Sequence, residues 1–266
     1  MEDLRFSRDT NHVRGPPCDP VRSHGMCGRF VSSQSPEKIA EFFGASFEGD
    51  AAAGPPANFN VAPTNDVYAV ITANDGVREV QPFHWGLVPS WAKDVKIGSK
   101  MINARAETLA EKPAFKGLFA KHRLLVPMDG FYEWQAAGEG APRSAKGTPL
   151  KTPMYIHRRD GSPLAVAGLW AAWRDREAGP DAPWLHSCTV ITTSANAAMV
   201  PVHDRMPVIL PEEHWAEWLD PAHRDVAALQ RLLVPAADDV LTMHEVSRDV
   251  NNVRNKGPEL IAPLHA

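Results

Sequence analysis

The chain has 266 residues, 44% of them apolar and 23% charged, with a formal net charge of −4. This balance excludes an intrinsically disordered polyelectrolyte and a protein that coats nucleic acid by bulk positive charge, and with no apolar run of about 18 residues no membrane span is expected. The three cysteines, Cys18, Cys27 and Cys188, include no Cys-x-x-Cys and no Cys/His pair at zinc spacing. A disulfide framework and a structural zinc site are therefore not expected, and a reducing cytoplasm is.

Residues 1–25 hold four Lys/Arg, four Asp/Glu and the pair Pro16-Pro17, with no periodicity and no secretory h-region. They read as a disordered extension or as sequence outside the mature protein. Ser35-Pro36-Glu37 starts a helix, with Ser35 as cap; Ile39, Phe42 and Phe43 follow at helical spacing, and Gly44 ends it. Residues 48–58 read as a loop. Strands at 67–72 and 77–83 flank Asn74-Asp75-Gly76, a hairpin signal. Alternating or continuous apolar runs predict strands at 123–128, 130–135, 154–158, 163–171, 187–193, 206–210 and 240–246. Helices are predicted at 113–121, 195–200, 212–219 and 222–233, and surface loops at 136–150 and 174–183. Strands dominate without alternating regularly with helices. The expectation is an α+β fold, a single domain over 26–266 with a mixed, strand-rich, barrel-like core flanked by helices.

Four segments set polar residues between bulky apolar ones: Met26-Cys27-Gly28-Arg29-Phe30, Ile102-Asn103-Ala104-Arg105-Ala106-Glu107-Thr108, Gly130-Phe131-Tyr132-Glu133-Trp134 and Val202-His203-Asp204-Arg205-Met206-Pro207. Taken singly each is weak. A cysteine in such a setting is more often a small buried hydrophobe, and a lone histidine is more often structural. Arg105 and Glu107 have the bland reading of a mutual ion pair, and Cys188 that of a core residue. Glu133 is harder to dismiss. On a strand, Phe131 and Glu133 point one way and Tyr132 and Trp134 the other, and a carboxyl in apolar surroundings is expected to have a raised pKa suited to acid–base work.

Together the segments resemble the SOS response-associated peptidase (SRAP) family. Met26-Cys27-Gly28-Arg29-Phe30, NVAP at 60–63, WGLVPSW at 85–91, INARAET at 102–108, GFYEW at 130–134, HDRMP at 203–207 and NNVRNKGPEL at 251–260 stand in the family's order, from Met26 to about Leu264. The resemblance implies a DNA-damage enzyme whose partner is single-stranded DNA containing abasic sites. An amino-terminal cysteine, exposed after methionine removal, reacts with the ring-opened sugar aldehyde to give a covalent thiazolidine. Carried over, Cys27 is the nucleophile, Asn103 positions the sugar and the terminal amine, Glu133 shuttles protons, and His203 assists proton transfer in forming or reversing the link. Arg29, Arg105 and Arg205 are the implied phosphate contacts, with Trp85 and Trp91 near the bases. Where the family often carries a second aromatic after Trp91, this chain has Ala92. The family name implies self-removal of whatever precedes Cys27, with lyase activity as a further expectation. No metal, organic cofactor, membrane or obligate protein partner is implied; nothing requires more than a monomer, cytoplasmic and on the nucleoid when bound to DNA.

The chemistry explains the residue type. An α-amine titrates near pKa ~8, so part of it is neutral and nucleophilic at cellular pH. It condenses with an aldehyde to an imine, and a thiol two bonds away closes a five-membered ring with a large effective molarity. Only cysteine at an amino terminus carries both groups. As written, Cys27 is internal; translation from Met26 is favoured over self-cleavage before Cys27. Two other functions are weighed: a thiol peptidase acting on proteins through Cys27 and His203, and a non-catalytic single-strand binder.

Overall fold

The computed structural model describes residues 28–73, 76–179 and 181–265. The expected nucleophile Cys27, the 1–25 extension, and Asn74 and Asp75 of the predicted turn lie outside the described residues.

Among the described residues the strands run, in chain order, as β1 (Phe30–Ser32), β2 (Asn58–Val61), β3 (Asp66–Thr72), β4 (Arg78–Trp85), β5 (Asn103–Arg105), β6 (Arg123–Met128), β7 (Gly130–Gln135), β8 (Thr152–Arg158), β9 (Leu164–Trp173), β10 (Leu185–Ser194), β11 (Arg205–Pro207) and β12 (Leu241–Glu245). The α-helices are α1 (Pro36–Phe43), α2 (Pro113–Phe119), α3 (Trp215–Leu219) and α4 (Val226–Arg231). Strands β4, β3, β6, β9 and β10 pair in that order, and β10 returns to β4 in parallel at Ser187↔His84 and Cys188↔Trp85. This closes a five-stranded barrel, a geometry that leaves no free sheet edge along those pairings. A second sheet, in the order β12-β8-β7-β1-β2, packs beside it.

Strand alternation sorts the side chains. Tyr68, Val70, Val80, Leu125 and Leu169 of the barrel pack with Ile39, Phe43, Phe115, Phe119, Trp218 and Leu229 of the helices. Their strand neighbours Val67, Ala69, Phe83, Trp85, Leu124 and Val126 pack instead with Phe30, Phe131, Ile156 and Leu241 of the second sheet. Val31, Tyr132 and Tyr155 face the other way, under Val246, Val250 and Leu260. The barrel-like α+β core is thus as expected. Ser35 caps α1 by accepting from the Lys38 amide, and Gly44 ends it in the left-handed region at φ 57°.

The differences have local causes. Residues 195–200 form turns, not a helix: Asn196 accepts from the Met199 amide and donates to the carbonyls of Ala236 and Ala237, side-chain bonds that compete with helical ones. The strand expected at 206–210 is the three-residue β11, with a single further bridge from Ile209 to Val166. The helix expected at 212–219 begins as a 3₁₀ turn, and that at 222–233 is shortened to α4, capped by Asp225. Strands β1, β2 and β5 lay outside the sequence expectation. No helix among the described residues is long and apolar enough to cross a membrane.

Candidate active site and nucleic-acid interface

Beyond the barrel, the far half of β10 carries two short strands. β5 pairs with it in parallel, Val190↔Asn103 through Thr192↔Arg105, and β11 pairs antiparallel, Thr192↔Pro207 through Ser194↔Arg205. Asn103 and Arg105 therefore sit on one side of β10, with His203 and Arg205 on the other. The Arg205 guanidinium donates to the Thr192 carbonyl at 2.8 Å and meets both Glu107 oxygens, at 2.5 and 3.0 Å. That hydrogen bond is the main reason the Glu107 carboxyl is held below the usual carboxylate range. Glu107 thus pairs with Arg205, not with the Arg105 of the bland sequence reading. Arg105 is exposed.

The His203 ring is fixed from its own loop. Nδ1 lies 3.1 Å from the Arg205 amide nitrogen, from which it accepts when it carries no proton, and 2.9 Å from an Asp204 carboxylate oxygen, to which it donates when it carries one. The His203 amide donates to the Met199 carbonyl at 3.0 Å. Gln135, at the end of β7, donates to the Pro201 carbonyl at 3.2 Å, drawing that strand to the turn before His203.

Glu133 lies on β7, 5% exposed. Phe131 packs toward the barrel and Tyr132 away from it, so alternation sets Glu133 on the barrel side. β1 is antiparallel to β7, with Phe30 opposite Phe131, Val31 opposite Gly130, and the Tyr132 amide donating to the Arg29 carbonyl at 2.9 Å. Carried back two residues, this register sets Gly28 opposite Glu133.

Three expected DNA contacts are placed differently from the sequence expectation. Arg29 turns inward, donating to Asn60 Oδ1 at 2.8 Å and the Val250 carbonyl at 2.9 Å, with its guanidinium 5.7 Å from the Trp134 ring. Burial lowers its pKa, and its hydrogen bonds anchor the 250s loop. Arg205 is engaged by Glu107. Trp85 is fully buried, its indole donating to the Ile102 carbonyl at 3.0 Å and its ring edge-on to Phe30 at 4.8 Å, so it offers no face to a base. Trp91, by contrast, is 61% exposed, beside Ala92, whose carbonyl accepts from the Trp173 indole. Cys188 is a free thiol wholly inside the core, and burial pushes its pKa up, as its bland reading implies.

Sequence reasoning assigned no role to Asn60. Its amide nitrogen donates to the carbonyls of Val250, Asn252 and Asn255, at 3.1, 3.1 and 2.9 Å. The NVAP and NNVRN motifs that it joins were visible, but their pairing spans about 190 residues. Among the described residues no group of three or more His, Cys, Asp or Glu could hold a metal ion.

The family model for SOS response associated peptidase (SRAP) matches residues 26–253. The chain is 42% identical over 238 residues to abasic site processing protein YoqW of Bacillus subtilis, spanning 89% of this chain and 99% of that one. It is 31% identical over 245 residues to abasic site processing protein YedK of Escherichia coli, spanning 90% and 100%. A solved structure from Bacteroides thetaiotaomicron superposes with a TM-score of 0.75 at 25% identity, covering 89% of this chain and 99% of that one. With a family match over residues 26–253 and relatives 31–42% identical across about nine-tenths of its length, the chain belongs to the SRAP family.

Proposed function

We propose that this protein processes abasic sites in DNA, and that it does so on single strands by linking its own amino terminus to the damaged sugar. The observation that carries the proposal is the β1–β7 register. It sets Gly28, the residue after Cys27, against the strand position of a buried carboxylate, Glu133. The names of the relatives supply the substrate class.

In this reading Met26 is removed and Cys27 becomes the terminal residue. Its α-amine adds to the aldehyde carbon of the ring-opened sugar, water leaves, and an imine forms. The Cys27 sulfur then adds to the imine carbon and its proton passes to the nitrogen, closing the thiazolidine. Glu133 takes and returns the protons that sugar opening and dehydration require. Asn103 orients the sugar, and His203, its Nδ1 side occupied by the Arg205 amide and Asp204, serves proton transfer when the link forms or reverses. Arg105 meets a phosphate. Self-removal of residues before Cys27 and strand cleavage after imine formation are further steps of the same proposal.

The test is a denaturing gel of abasic single-stranded DNA incubated with protein begun at Met26. A band that survives denaturation is expected from the unaltered chain and none from Cys27→Ala; Glu133→Gln is expected to slow its appearance by roughly 10²–10⁴. A Cys27→Ala protein that still gives the band contradicts the proposal.

A further inference from the structure

The NNVRNKGPEL motif has no role in the chemistry above, yet its geometry is strongly determined. Asn60 holds three of the segment's carbonyls and Arg29 a fourth donor contact on one of them. The Phe59 amide donates to the Lys256 carbonyl at 3.1 Å. The segment's own asparagines are spent internally. Asn251 Oδ1 accepts from the Trp134 indole at 2.7 Å, Asn252 Oδ1 from the Arg254 amide, and Asn255 donates to the Asp249 carbonyl. Asp249 accepts from the Ser247 hydroxyl at 2.9 Å. The segment's exposed face is net cationic: Arg248, Arg254 and Lys256 are exposed and pair with no carboxylate among the described residues, against the one exposed carboxylate of Asp249. Glu259, also exposed, follows Gly257 and Pro258 at its far end.

Its position fits the site. Trp134 and Arg29, which hold the segment, are the chain neighbours of Glu133 and Gly28. The basic rim therefore lies at the end of the second sheet where β1 begins and β7 ends. Two of the three arginines expected to meet phosphates are engaged elsewhere, and the chain as a whole is negative at −4. A strand must find its cations locally.

We infer that the 248–256 segment is a second, preorganised phosphate-binding rim for single-stranded DNA, with Arg248, Arg254 and Lys256 as its contacts. Because Asn60 and Arg29 fix the loop before any strand arrives, little ordering cost remains at binding. The inference rests on the proposed DNA function but is separable from it.

Binding of an unmodified single-stranded oligonucleotide, measured by fluorescence anisotropy across a salt series, tests it. The triple variant Arg248→Gln/Arg254→Gln/Lys256→Gln is expected to lose about tenfold or more in affinity at low salt. The slope of log K against log[salt] should shrink by about 2, from about 0.7 per lost contact. Should the triple variant fail to match the unaltered chain's thermal melt, Arg254→Gln alone is read, with a slope change of about 0.7. An unaltered chain that binds and cross-links while the triple variant keeps its affinity and slope overturns the rim and leaves the chemistry standing. An unaltered chain that neither binds nor cross-links overturns both.

Discussion

At the level of single residues, the site is governed by which polar groups are already engaged. Glu107 and Arg205 bridge the far half of β10, coupling the strand that carries Asn103 to the loop that carries His203. Because the Glu107 pKa is lowered in the folded protein, the pair stabilises fully above the ordinary carboxylate pKa, and the benefit is lost as pH falls through the lowered value. Glu107 is half exposed, so the effect at neutral pH should be modest, about 1 kcal/mol at most. Thermal melts of Glu107→Gln and the unaltered chain should differ at pH 7 and converge in acid; a gap independent of pH would contradict the pairing. The two tryptophans separate cleanly by the same logic. Trp91→Ala should weaken single-strand binding by roughly 1–3 kcal/mol, the worth of one stacked base. Trp85→Phe should instead lower stability by about 1–3 kcal/mol, through the lost indole hydrogen bond and the space the smaller ring leaves in the core, and leave strand affinity alone. A binding loss confined to Trp85→Phe would reverse the assignment.

At the level of elements, the close approach of the Trp85 segment to the turn before β5 depends on two glycines. A Cβ on Gly86, whose φ is +139°, would stand 2.7 Å from the Gly98 carbonyl oxygen, and one on Gly98 2.6 Å from that of Gly86. Both obstacles are backbone, so neither can swing away. Gly86→Ala is expected to cost about 1–3 kcal/mol or more in urea unfolding; an unchanged midpoint would show that the segment can relax. Elements of this kind also mark where sequence reasoning stops. The ten-residue strands β9 and β10 and the β3–β4 hairpin were legible because their apolar runs are long and bounded by turn residues. β1, β2 and β5 are three or four residues each, too short to show a period, and they become strands only through partners far away in the chain. In the same way the four polar segments were legible as a constellation, whereas the inward turn of Arg29 was not: its acceptor, Val250, is 221 residues distant. The helix expected at 195–200 failed for the opposite reason: the local side-chain bonds of Asn196 suit a turn as well as a helix cap.

At the level of the whole molecule, a closed barrel and a second sheet share one apolar layer, and the residues of the proposed chemistry are gathered where both run out of pairing partners. β10 outlasts the barrel and gathers Asn103, Arg105, His203 and Arg205 along its sides, while the β1–β7 register, carried back two residues, sets Gly28 opposite Glu133. A register that sets Gly28 opposite a buried carboxylate supports the proposed reaction of the residue before it. The central claim is that the reacting residue is Cys27 with a free α-amine. Intact-mass measurement of protein begun at Met26, before and after incubation with abasic single-stranded DNA, tests this most directly. A chain lacking its methionine, converted to a species equal to protein plus DNA less one water, is the expected result. A chain with a confirmed free Cys27 terminus that leaves the DNA at its own mass would contradict it.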